Sequence, residues 1–114
     1  MTYEEIASMI ASIADALGCD YNYYTDEERE VLKTPYLLFE YQGRDDLFAD
    51  DKNYVHLQTV RIEYDSRRKE LDSESVIERI LEDNDLTYTK QAEEINGQSA
   101  YEVMYTMEVL INEQ

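Results

Sequence analysis

Residues 35–65, PYLLFEYQGRDDLFADDKNYVHLQTVRIEYD, hold two long runs rich in Tyr, Leu, Val and Ile, joined by a polar stretch with a Leu-Phe pair in its middle. A chain that must place two such strands side by side is committed to a sheet, and the rest of the sequence has to cover it. Tyr36 to Tyr41 is apolar on both faces apart from Glu40, as in a central strand covered on at least one side. Asn53 to Asp65 keeps no single phase. Val55 and Leu57 share one parity while Val60, Ile62 and Tyr64 share the other, so a bulge or bend is expected near Gln58-Thr59.

Thr2 to Leu17 carries the clearest helical pattern. Ile6, Met9, Ile10, Ile13 and Leu17 recur at helical spacing, Thr2 and Glu5 form a capping-box pair, and Gly18 is a natural stop. Cys19 to Tyr24 alternates like a short strand, and TDEEREVL can make a helical turn capped by Thr25 or Asp26, closed by Thr34-Pro35. A second helix follows Arg67 to Lys69, capped by Asp72 or Ser73, with Val76, Ile77, Ile80 and Leu81 as its buried stripe. Thr87 to Ile95 and Ala100 to Ile111 read as the last two strands, turned through Asn96-Gly97. In the final strand Tyr101, Val103, Tyr105, Met107, Val109 and Ile111 all point one way. The expected class is α+β: a mainly antiparallel four-stranded sheet with two helices on one face, in the order α-(β)-β-β-α-β-β. Its 114 residues fit one domain, 1–114.

Charge narrows the function. Ten Lys plus Arg against 27 Asp plus Glu give a net charge of −17, the reverse of a surface that grips phosphate backbones. Such acidity fits a protein with basic partners, one that must not stick to DNA, or a mimic of DNA. Cys19 stands alone, which precludes an intramolecular disulfide and suits a reducing compartment. MTYEEIAS lacks a basic, apolar leader, and no apolar run approaches the ~20 residues that span a bilayer. A soluble intracellular product is expected, without a membrane partner.

Chemistry is hard to find. His56 is the only histidine and has no Cys or Ser beside it in the strand, so a surface or half-buried strand residue is the plainer reading. Asp45, Asp46, Asp50 and Asp51 crowd one loop, but DDLFADDKN lacks the alternating carboxylates, central Gly and final Glu of an EF-hand, leaving a solvated acidic loop. The Glu27, Glu28 and Glu30 group and the Glu93-Glu94 pair lie in polar runs unsuited to raising a carboxyl pKa. Cys19, next to Asp20, has no cation to activate it. No phosphate-cradling loop, CxxC pair or Ser-centred elbow is present, so neither catalytic residue nor cofactor is expected. Of the eleven tyrosines, Tyr36, Tyr41, Tyr64, Tyr101 and Tyr105 are expected to face the core with hydroxyls at its margin, and others either pack likewise or serve an interface. Leu47-Phe48, set among charged residues, either folds back under its loop or anchors a partner.

PYLLFEYQG, DDLFADDKNYVHLQTVRIEYD, RILEDNDLTY and AYEVMYTMEV together resemble the small tail proteins of long-tailed phages and prophages of Gram-positive bacteria, in the tail-terminator and tail-completion (tail-to-head joining) group. The resemblance spans roughly Pro35 to Val109, and RRKELDSES lacks the Pro expected where the second helix begins. It implies a non-enzymatic virion subunit forming a ring, commonly a hexamer, at the head-proximal end of the tail tube. Its partners would be further copies of itself, the tube protein and the head connector, with DNA passing through unbound. A ring uses two different patches on each subunit. Leu47, Phe48 and Tyr54 are the candidates for reaching a neighbour or the tube. Arg67, Arg68 and Lys69 either meet an adjacent acidic surface or form a solvated helix start. The rival reading is an acidic DNA-mimic inhibitor of a host DNA-binding protein, which Arg61, Arg67, Arg68, Lys69, Arg79 and Lys90 weaken by interrupting the acidic segments.

Overall fold

The computed structural model describes residues 1–25, 27, 33–49, 52–95 and 100–112, with the backbone alone for 49, 52–54 and 95. Helix α1 (Tyr3–Leu17) leads into β1 (Asp20–Tyr23), then β2 (Tyr36–Ala49), β3 (Lys52–Ser66), helix α2 (Leu71–Asp83), β4 (Tyr88–Ile95) and β5 (Ala100–Ile111). The class is α+β, with one five-stranded sheet in the order β1-β2-β3-β5-β4. This corrects the expected four-stranded antiparallel sheet. The short strand after α1 is a true member, and it runs parallel to β2, while every other pairing is antiparallel.

The ends of α1 follow from its sequence. The Thr2 side chain accepts from the Glu5 amide at 3.1 Å, the Glu5 carboxylate accepts from the Thr2 amide at 2.9 Å, and Gly18 closes the helix at φ 65°. α2 starts differently from expectation. It begins at Leu71 after Glu70, with no side-chain cap, so Asp72 and Ser73 fall inside its first turn, where Ser73 accepts from the Tyr64 hydroxyl at 3.3 Å.

Both helices lie over one face of the sheet. Ile6, Ile10 and Ile13 of α1, with Ile77 and Leu81 of α2, bury against Leu37, Val60, Ile62, Val103, Tyr105 and Met107. The register explains the selection: Leu37, Tyr64 and Val103 lie in one row across β2, β3 and β5, as do Ile62 and Tyr105. At about 1.5–3 kcal/mol per buried aliphatic side chain, this stripe supplies most of the folding drive. Tyr64 and Tyr105 take the core positions expected of them, whereas Tyr36 is buried on the opposite face with Leu38, in register with Asp65. No helix among the described residues is long and apolar enough to cross a membrane.

The irregularity expected in β3 lies in its partner. β3 pairs with β5 without a break from His56 opposite Ile111 to Ser66 opposite Tyr101. Against β2, the register steps from Tyr41 opposite Val60 to Arg44 opposite Gln58, so the extra residue belongs to the Gln42-Gly43 step of β2. Gln58, only 5% exposed, clamps this bulge. Its amide donates to the carbonyls of Gln42 (2.7 Å), Thr59 (3.0 Å) and Gly43 (3.3 Å), and its oxygen accepts from the Tyr3 hydroxyl at 2.8 Å. Val55 and Leu57 therefore stay in phase with Thr59 and Arg61, on the face away from the helices.

The Asn96-Gly97 turn and most of the TDEEREVL stretch lie outside the described residues. Gln58→Ala should cost about 1–3 kcal/mol, because the bulge carbonyls and the Tyr3 hydroxyl lose their buried partner. Urea unfolding measures this; a loss below about 0.5 kcal/mol would mean that the clamp is dispensable.

Candidate functional site

The β2–β3 hairpin is longer than the strands beside it. β1 ends at Tyr23 opposite Phe39, and β5 ends at Ile111 opposite His56. Beyond those points β2 and β3 continue as a two-stranded arm, with Leu47 opposite Val55 and Phe48 opposite Asn53. Leu47 is 56% exposed and Phe48 69%. Of the two readings open to this pair, folding back under the loop is not what is seen. Tyr54 lies in the backbone of β3, and its side chain is outside the described set. Leu47 and Val55 share the helix-free face with Leu57 and its cross-strand partner Leu110, itself exposed, making an apolar patch at the base of the arm.

His56 and one of the acidic residues, Asp46, find a structural use. His56 Nδ1 and Arg44 Nε each lie 3.0 Å from Asp46 Oδ1. His56 first, and Arg44 with it, hold the Asp46 carboxyl below the usual carboxylate range. Asp45 is exposed, and Asp50 and Asp51 lie outside the described residues.

The basic cluster sits at the other end of the same hairpin. A pocket of about 330 Å³ is lined by Thr34 and Pro35 before β2, Tyr64 and Ser66 at the end of β3, and Arg67, Arg68 and Glu70 on the way to α2. The Ser66 hydroxyl donates to the Arg68 carbonyl at 2.6 Å, fixing the bend, and Arg68 Nε lies 3.2 Å from Glu70. Arg67 is exposed and has no ion pair with any described residue. Lys69 departs from its two neighbours. Its Nζ lies 2.9 Å from Glu74 and 4.9 Å from the centre of the Tyr101 ring, so it is tied to the fold.

Two charged groups escaped the sequence reading. Glu74, 2% exposed, lies between Lys69 and Lys90 (2.7 Å), and Lys90 also reaches Glu78 at 2.8 Å. The Tyr105 hydroxyl donates to Glu78 at 2.9 Å, and burial above all pushes that hydroxyl far above its ordinary value. Burial pulls Glu78 upward, but Lys90 and Tyr105 outweigh it and leave the carboxyl lowered. On the helix-free face, Glu63, Asp65 and Glu102 are all buried, with a carboxylate oxygen of each within 4.8 Å of the others. Arg61 binds Glu63 at 3.0 Å, extends to Glu40 at 3.6 Å and lies over the Tyr24 ring. Hard cations take such oxygens, so among the described residues these three form the set that could hold one. Their signal in the sequence was acid at alternate positions of a strand whose other parity is apolar.

Cys19 and His56 are not brought together: one precedes β1, the other lies at the far end of β3. Burial, with Asp20 adding to it, pushes the Cys19 thiol up to about 11. No known family model and no curated protein sequence matches the chain.

Two outcomes follow from these environments. At pH 8, Cys19 should alkylate about a hundredfold more slowly in the folded protein than in urea, since so little of it is thiolate; equal rates, followed by mass spectrometry, would contradict its burial. A lowered carboxyl stabilises the fold above its ordinary pKa of 4.5 and loses that contribution as the pH falls through the lower folded value. Glu78→Gln should therefore narrow the stability difference between neutral pH and pH below 4.5, seen by urea unfolding at each pH; an unchanged difference would count against the Lys90 and Tyr105 contacts.

Proposed function

We propose that the protein is a non-enzymatic assembly subunit of a phage tail, forming a ring of its own copies at the head-proximal end of the tail tube. The ring stops tube growth and presents a surface to the head connector. The observation that carries this reading is the arm. Leu47 and Phe48 stand exposed at its end, in a segment otherwise charged, where an apolar pair has a use only once a partner covers it.

The remaining surface supports the same reading. Arm and basic pocket lie at opposite ends of one hairpin, as a heterologous ring interface requires. Even with Glu63, Asp65, Glu74 and Glu102 buried, 27 acidic residues against ten basic ones leave the protein strongly negative. An acidic ring repels the DNA that passes through it and keeps free subunits apart until complementary patches meet. The DNA-mimic alternative is less well supported, because Glu63, Asp65, Glu74 and Glu102 are buried and cannot stand in for phosphates.

Purified protein mixed with isolated tail tubes should be found by electron microscopy as a cap on one end of each tube. A phage lacking the gene should make tails of irregular length that do not join heads. Tails of normal length attached to heads in that mutant would overturn the proposal.

A further inference from the structure

The pocket at Arg67 and the arm at Phe48 have complementary chemistry and cannot meet within one chain. β2 and β3 run side by side for 14 and 15 residues, which at about 3.3 Å per residue puts the arm's tip roughly 45 Å from the pocket. The whole molecule measures 53 Å along its longest axis. The two features therefore occupy opposite ends of the protein.

We infer that the arm of one copy docks in the Arg67–Arg68 pocket of the next, Phe48 entering beside Pro35 while the acidic flank of the arm approaches the positive charge. The pocket brings Pro35 and Tyr64 together with Arg67 and Arg68, and Thr34, Ser66 and Glu70 complete its lining. Guanidinium planes stack on aromatic faces and also fork to carboxylates, so an aromatic flanked by acid is the side-chain pattern this pocket fits. The arm supplies both groups, Phe48 on one face and Asp45 with Leu47 on the other, all of them exposed.

Charge selects a second copy as the occupant. At −17, two copies repel each other over most approaches. Residues 67–69 are the one place in the sequence where basic residues stand consecutively. Only an approach that brings this place to an acidic segment of the neighbour turns repulsion into attraction. Because the docked surfaces differ, each added copy exposes a fresh arm and a fresh pocket, and the series ends when it closes on itself. The inference rests on the proposed self-assembly and not on the phage setting.

Two variants test it: Phe48→Ser, with a damaged arm, and Arg67→Glu/Arg68→Glu, with a damaged pocket. The altered side chains are exposed, so circular dichroism should show both folded. Each alone should lose self-association by roughly thirtyfold or more in analytical ultracentrifugation. An equimolar mixture should form a one-to-one dimer and nothing larger, because the intact arm of one variant meets the intact pocket of the other. A mixture that forms no dimer, or either variant assembling like the parent protein, overturns the arm-to-pocket contact and leaves the ring reading standing. A parent protein that stays monomeric both alone and on tail tubes overturns both.

Discussion

The unbroken pairing of β3 with β5 governs the rest of the structure. From His56 to Ser66 it fixes which side of the central strand each residue takes. Val60, Ile62 and Tyr64 go to the helices together with Val103, Tyr105 and Met107. Everything of the other parity goes to the opposite face, whatever its polarity. One slip of register would exchange the two sets, bringing Glu63 and Asp65 under α1 and α2, a cost far beyond what a small domain can absorb. The bulge in β2 is the adjustment that leaves this pairing intact.

The same phase gives the two ends of the helix-free face different characters. Near the arm it carries Leu47, Val55, Leu57 and Leu110; near the pocket it carries Glu63, Asp65 and Glu102. On the helix side, Glu74 and Glu78 face Lys90 across the α2–β4 junction. The acidity of this chain is thus partly internal, with Glu63 held by Arg61, and Glu74 and Glu78 by Lys69 and Lys90. Lys69 is drawn into that internal set, whereas Arg67 and Arg68 remain at the rim of the pocket. A surface so short of positive charge gives its few exposed guanidinium groups a strong influence on which approach between copies succeeds.

Much of this fold was legible in the sequence, for identifiable reasons. Local chemistry that acts within a few residues could be read directly, as with the Thr2–Glu5 box, the Gly18 stop and the strict alternation of β5. The misplaced bulge came from taking apolar residues to be core residues: Val55 and Leu57 are apolar but belong to the outer face, so no change of phase was needed. α2 was placed correctly but capped wrongly, because the helix already begins at Leu71, ahead of both capping candidates. The exposed pair Leu47-Phe48 could be read from its charged neighbours, and Arg67-Arg68 from their isolation in an acidic chain. The alternate acids Glu63 and Asp65 left a signal in β3, but their meeting with Glu102 could not be read, since it exists only once β3 and β5 are in register. Nor could the two ends of the hairpin be seen as a pair of unlike surfaces before β2 and β3 were known to run its full length.

The central claim is that the protein works by joining copies of itself through two unlike surfaces at opposite ends of one hairpin. Hydrogen–deuterium exchange, comparing dilute monomer with the assembled form, tests this directly. The account predicts new protection in two separate segments, the arm strands around Leu47 and Val55 and the turn from Ser66 to Glu70, with the β3–β5 centre unchanged. Protection confined to a single segment, as in a two-fold symmetric dimer, or no protection at either end of the hairpin, would contradict it.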